Sequence, residues 1–411
     1  MWLIAIACIS MLLIFVGYRL YSMVEYISGT KSKLVGISFY VEKALELDHN
    51  ERISYPINIE GNVSKLAIDN FALSILPEHH INPSAHYAFQ SIIPTFNAYG
   101  DMKFYNFYYF ENVKLDTLSL YRTTFSRINR DDILYEMVGN GILGSNILAI
   151  GYWEFNFDKK YIATFNRENE ALIEERTRGM LCVEKKINAE DLISLNFAGK
   201  DYDFALDLGF SGQIEIDNNR RNELLGKHPH QTVSVLRKTP HKTSIDSVYL
   251  FENMSVTLGE WNIDSCRVVN IASVDGNYLG AQFMQNFNFV LGYGEYRKDD
   301  KLYIERTKSD VRTKIPYISK FGFNIDLVQQ KNIIHMIVND CQIIGGQLKL
   351  DDELSAIDNG AFDLSQDGLK NKFIEYCYDK NSIELKIKRG NEMMDISLHI
   401  IPKSSPDSNP L

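Results

Sequence analysis

The chain has 411 residues, enough for roughly two to four domains rather than one. Hydrophobic residues make up 45% and charged residues 23%, a balance that excludes an intrinsically disordered chain. Asp and Glu outnumber Lys and Arg by 53 to 43, a net charge of −10, which excludes a general nucleic-acid binder with its basic footprint.

Taken in chain order, residues 1–18 read MWLIAIACISMLLIFVGY without a charged side chain. This is just long enough for a membrane span. Trp2, Tyr18 and Tyr21 suit the interfaces, and Arg19 can snorkel outward. A cleaved signal peptide is the alternative, but a basic n-region and a small-residue cleavage site are missing. The expectation is an uncleaved anchor over residues 1–28. Arg19, Lys31 and Lys33 after the span place the body in the cytoplasm by the positive-inside rule.

The body that follows is rich in aromatic residues, with 23 Tyr and 23 Phe against 10 Pro, a composition that favours strands. It also contains an internal repeat. INIEGNVSKLAID (Ile57–Asp69) aligns with LNFAGKDYDFALD (Leu195–Asp207) without a gap, at an offset of 138 residues (69 to 207). Asn58/Asn196, Gly61/Gly199, Ala67/Ala205 and Asp69/Asp207 are identical, and the intervening apolar positions match. Alternating apolar residues around a central Gly predict a hairpin running up to an Asp in each copy. YFENVKL (Tyr109–Leu115) then meets LFENMSV (Leu250–Val256), and GILGSNIL (Gly141–Leu148) meets NYLGAQFM (Asn277–Met284). Three anchors in the same order predict two homologous lobes.

A hairpin ending in Asp, followed some 70 residues later by an apolar-apolar-Gly segment, resembles one lobe of a pepsin-like or retropepsin-like aspartic protease. The resemblance covers about residues 53 to 305. It implies lobe one over 29–170, lobe two over 171–308, and a dyad of Asp69 and Asp207. Two carboxylates held close together cannot both ionise cheaply, so they share one proton. The ionised member can then take a proton from water while the other polarises a peptide carbonyl. The sequence departs from the family's Asp-Thr/Ser-Gly motif. Asp69 is followed by Asn70-Phe71, and Asp207 by Leu208-Gly209. Asn70 can mimic part of the hydroxyl's bracing role and Leu208 cannot; Gly209 keeps the family's glycine in the second copy only. Tyr99, before Gly100, is the candidate tip of a flap over the cleft.

After Arg306 the pattern changes. KFGF (Lys320–Phe323), a strand-like NIDLV, KNIIHMIV and GQLKLDDEL (Gly346–Leu354) together resemble a PDZ domain, over residues 309–403. The resemblance implies a groove that takes an extended peptide by strand addition. Phe321, Gly322 and Phe323 would offer carboxylate-binding N–H groups, and Leu369 or Phe373 would line the pocket.

Other motifs carry less. Gly139–Gly144 satisfies GxGxxG without the helix and acidic residue of a dinucleotide site. His79-His80 and His228-Pro229-His230 lack partners at ligand spacing. The five cysteines (Cys8, Cys182, Cys266, Cys341 and Cys377) form no CxxC pair. Glu168–Arg178 is charged and reads as a solvated connector.

The fold expectation is therefore mainly β: two homologous aspartic-protease-like lobes, then an α+β PDZ-like domain, preceded by one transmembrane helix. The functional expectation is a membrane-tethered, aspartic-endopeptidase-like protein that acts on or binds extended peptides, with a catalytically inactive peptide or protein receptor as the alternative. The expected partners are a peptide or protein and the membrane, without nucleic acid, metal or organic cofactor. By analogy with other protease-plus-PDZ proteins, the body of this single-pass protein is expected outside the cytoplasm, against the flanking charges.

Overall fold

The computed structural model describes residues 17, 20–21, 38–48, 51–81, 85–91, 95–96, 102–129, 135, 139–183, 192–238, 243–274, 276–293, 300–308, 317–328, 331–339, 341–344, 346–366 and 368–400. Two units emerge from the packing. The first comprises Met1–Asp217, Glu252–Val268 and Val274–Val311; the second comprises Asn218–Phe251, Val269–Ser273 and Arg312–Leu411.

In the first unit each copy of the repeat begins with a hairpin. Ile53–Ile59 pairs with Asn62–Asp69, and Leu192–Phe197 with Lys200–Asp207. Both turns have two residues with positive φ, Glu60-Gly61 and Ala198-Gly199. That geometry matches the right-handed twist of the paired strands and favours Gly at the second position. A short strand then lies parallel to each Asp strand, Ile142–Gly144 beside the first and Tyr278–Gly280 beside the second. In the second copy the strands close on themselves. The order runs Leu192–Phe197, Lys200–Asp207, Tyr278–Gly280, Ile214–Glu215, Trp261–Ile271, Thr243–Leu258, and the pairs Asn196↔Thr257 and Phe197↔Val256 return to the first strand.

The expectation of two separate lobes is corrected by a sheet that both copies share. Its six strands run Tyr40–Ala44, Tyr161–Phe165, Tyr152–Asn156, Phe287–Gly292, Lys301–Arg306, Leu181–Val183. Tyr152–Asn156 of the first copy pairs with Phe287–Gly292 of the second, from Tyr152↔Gly292 to Phe155↔Phe289. These strands and Tyr161–Phe165 are buried at every residue. Strands covered on both faces must find backbone partners within the protein, and each copy supplies the other's. The Phe155 and Phe289 rings stack across this join at 4.4 Å. The repeat thus builds one compact unit.

Glu168–Arg178, read as a solvated connector, contains the helix Glu170–Thr177, capped by Asn169, whose side chain accepts from the Leu172 N–H at 3.1 Å. Leu172 and Ile173 pack on the shared sheet against the cluster of Tyr152, Phe165 and Val290.

No helix among the described residues is long and apolar enough to cross a membrane. This corrects the expected anchor, the membrane as a partner, and the single-pass topology with its body outside the cytoplasm. Of residues 1–28 only Gly17, Leu20 and Tyr21 are described, and all three are exposed. The expectation rested on hydropathy, which reports the transfer preference of side chains and does not establish a continuous spanning helix.

In the second unit, Phe323–Val328 and Lys331–Val338 form a hairpin, followed by Glu353–Ile357, the helix Leu369–Cys377, and the hairpin Ser382–Arg389 with Glu392–His399. Their buried core is drawn from residues between Phe321 and Leu398. Gln231–Lys238 pairs with Lys331–Val338 through Val233↔Val338 and Val235↔Met336, so the sheet draws on residues far upstream.

Candidate functional site

The repeat places its two Asp residues at matching points of the first unit. Asp69 ends its strand opposite Gly144, and Asp207 ends its strand opposite Gly280. In each copy the chain turns sharply after the Asp, and backbone N–H groups point back at the carboxylate. Asp69 Oδ1 accepts from the N–H of Phe71 at 2.8 Å and of Ala72 at 2.9 Å. Asp207 Oδ1 accepts from Gly209 at 2.9 Å and Phe210 at 3.1 Å.

The returning parallel strands hold these turns closely. The Ser145 N–H donates to Ala72 O and the Ala281 N–H donates to Phe210 O, both at 2.8 Å. A Cβ at 144 would collide with the backbone of Ala72, Leu73 and Ser74, and one at 280 with the carbonyls of Phe210 and Gly212. The two glycines of the GILG and YLG segments are therefore required by close backbone approach.

Asn70 joins the two turns. Its Nδ2 donates to Leu206 O at 2.6 Å, and its Oδ1 accepts from the Leu208 N–H at 2.8 Å. The expected half-brace is thus a complete one, because a single carboxamide carries both a donor and an acceptor. The Leu208 side chain is fully buried and contributes only its N–H. Gly209 lies against the Asp69 carboxylate, where a Cβ would collide with it. The Phe71 ring is exposed and sits edge-on to Tyr278 at 6.0 Å, while the Phe71 N–H still serves Asp69.

The electrostatics follow from this enclosure. Burial pushes the Asp69 carboxyl above its ordinary range, opposed by the N–H groups of Ala72 and Phe71 and by the charge of Arg52. Burial, and then the neighbouring charge of Asp69, push Asp207 up to about 7 against the pull of Phe210 and Gly209. The charge of Asp69 thus opposes ionisation of Asp207.

The structure brings Asp69, Asp207 and Gly209 together. Tyr99 lies outside the described residues. Phe321, Gly322, Phe323, Leu369 and Phe373 come together in the second unit, where the four apolar side chains belong to its hydrophobic core. The Gly322 N–H donates to Ser319 O at 2.9 Å. Among the described residues no group of three His, Cys, Asp or Glu side chains is placed to hold a metal ion. The four described cysteines are all free thiols, and burial pushes Cys377 up to about 12. Sequence reasoning passed over Arg52, which is buried and paired with Asp48 at 2.7 Å.

No protein-family model matches the chain, and no curated protein matches it. Among solved structures it is similar to a retropepsin-like aspartic protease from Rickettsia conorii, at 15% identity, over 31% of this chain and 90% of that one, with a TM-score of 0.23. This is a weak and partial structural similarity. No PDZ relative was found.

Proposed function

We propose that the chain is a peptide-binding protein whose recognition centre is the Asp69–Asp207 pair. The observation that carries this reading is the Asn70 bridge, which ties the turn after Asp69 to the turn after Asp207. A carboxylate beside a neutral carboxyl offers an acceptor and a donor side by side, the complement of one N–H and one C=O of an extended backbone. Gly209 lets the Asp69 carboxylate pack directly against the second turn. This is the receptor alternative of the sequence analysis, without the membrane tether.

The endopeptidase expectation is not carried forward: the similarity to a protease structure is weak and partial. One experiment tests the binding reading. The protein is incubated with a diverse mixture of unstructured peptides from pH 4 to 8, and both retained and released peptides are sequenced by mass spectrometry. Intact peptides retained by the unaltered protein, and lost with Asp69→Asn and Asp207→Asn, support binding. New fragments that vanish in both variants would overturn the binding reading. Retention and cleavage that ignore both substitutions would place the function elsewhere.

A further inference from the structure

We infer that Phe71 and Tyr278 determine the specificity of the Asp69–Asp207 site, and that they select a peptide carrying a basic side chain, arginine above lysine, beside the backbone that the pair holds. This rests on the peptide-binding reading and goes beyond it by naming the ligand's side chain. The Phe71 ring is 47% exposed and meets Tyr278 edge-on, with ring centres 6.0 Å apart and planes at 88°.

Both rings are anchored to the acids. The Phe71 N–H donates to Asp69 Oδ1 at 2.8 Å, so its side chain leaves the backbone beside that carboxylate. Tyr278 begins the short strand whose Gly280 lies opposite Asp207, and residues two apart on a strand share a face. The Tyr278 ring also packs on Gly276, where a Cβ would collide with it. One ring thus comes from each copy of the repeat, and neither ring is repeated. The residue matching Phe71 in the second copy is Gly209, and the residue matching Tyr278 in the first is the buried Ile142. The aromatic pair therefore breaks the near-symmetry of the two Asp turns, which the backbone donors keep.

The occupant follows from charge. The segments that meet here, residues 69–74, 207–213 and 276–284, carry two Asp and no Lys or Arg. The turns occupy Oδ1 of each carboxylate with neutral backbone N–H groups, so these segments supply no cation to balance the acids. A purely apolar side chain laid against the rings would strip water from a carboxylate without replacing its hydrogen bonds. A basic side chain meets both surfaces: its methylene stem covers the rings, and its head lies over a ring face within reach of the acids. An edge-on pair leaves ring faces open for that contact. Arginine fits better than lysine, because the guanidinium is planar, stacks on aromatic faces and binds a carboxylate through two N–H groups.

The test is fluorescence anisotropy with labelled peptides of one neutral, extended sequence that differ at a single central residue: arginine, lysine, citrulline (the neutral isostere of arginine), leucine or phenylalanine. The arginine peptide is expected to bind about tenfold tighter than the citrulline peptide, with lysine between them. That preference should shrink as salt is raised from about 50 to 500 mM. Phe71→Ala, which keeps the N–H that serves Asp69, and Tyr278→Ala should each reduce the ratio of arginine to citrulline affinity about fivefold. Phe71→Tyr and Tyr278→Phe keep the rings and should retain the ratio. If Tyr278→Ala does not fold, the exposed Phe71 still decides. Equal binding of the arginine and citrulline peptides, or tightest binding of the leucine or phenylalanine peptide, would overturn the inference. So would an arginine preference that survives the loss of the Phe71 ring. The peptide-binding reading would stand in each of those cases as long as Asp69→Asn and Asp207→Asn still abolish retention. Failure of every peptide to bind, or binding that ignores both Asp→Asn variants, would remove that reading and this inference with it.

Discussion

Asn70 replaces with one side chain what two hydroxyls would do, and the result hangs on a single residue. Asn70→Ala leaves the Leu206 carbonyl and the Leu208 N–H without their partners. Two hydrogen bonds of ordinary strength are lost, so a destabilisation of about 2 kcal/mol in urea unfolding is expected, with loss of peptide retention. Asn70→Ser, too short to span both turns, should recover less than half of it. Gly209→Ala puts a methyl group against the Asp69 carboxylate. It is expected to displace that carboxylate and weaken peptide retention at least tenfold, with a loss of stability as well, measured by titration calorimetry and unfolding side by side. At this scale much of the site was legible. Asp69, Asp207 and Gly209 stand in short segments whose spacing repeats, and repetition is visible in a one-dimensional string. Asn70 was legible only in part, because the backbone groups it bonds lie more than 130 residues away in sequence.

Among the elements, the strands were legible from alternation and the pairing partners were not. Tyr152–Asn156 and Phe287–Gly292 are each buried throughout, and nothing in either sequence says that the other is its neighbour. The helix Glu170–Thr177 was missed for a related reason. Its sequence EALIEERT is dominated by charge, and its apolar contribution is the adjacent pair Leu172 and Ile173 rather than a stripe. Its hold on the sheet is largely polar. Arg176 lies 3.5 Å from Glu154, which is almost fully buried at the middle of the shared sheet, and donates to the hydroxyls of Tyr161 at 3.3 Å and Tyr40 at 3.1 Å. Arg176→Met would leave Glu154 charged among apolar strands. The expected cost is about 3 kcal/mol in urea unfolding, and the double variant Arg176→Met with Glu154→Gln should recover most of it.

At the scale of the whole molecule, the shared proton makes stability depend on pH in an unusual direction. A carboxyl raised to about 7 in the folded protein binds its proton more tightly than the same group in the unfolded chain, near 3.9. Its contribution is therefore complete below about pH 4 and is lost as pH rises towards and through 7. Urea midpoints measured between pH 4.5 and 8 should decline with pH in the unaltered protein, and the decline should flatten in Asp207→Asn. The separate lobes were misread at this scale because a repeat does not say whether its copies stand apart or share a sheet.

The central claim is that Asp69 and Asp207 act as one acid with one proton near neutral pH. The most direct measurement is the 13C carboxyl titration of the unaltered protein from pH 2 to 9. The account predicts two coupled steps, the upper one near 7 and reported by both residues, collapsing to a single step when either Asp is replaced by Asn. Two uncoupled steps near pH 4, each unaffected by replacement of the other residue, would contradict it.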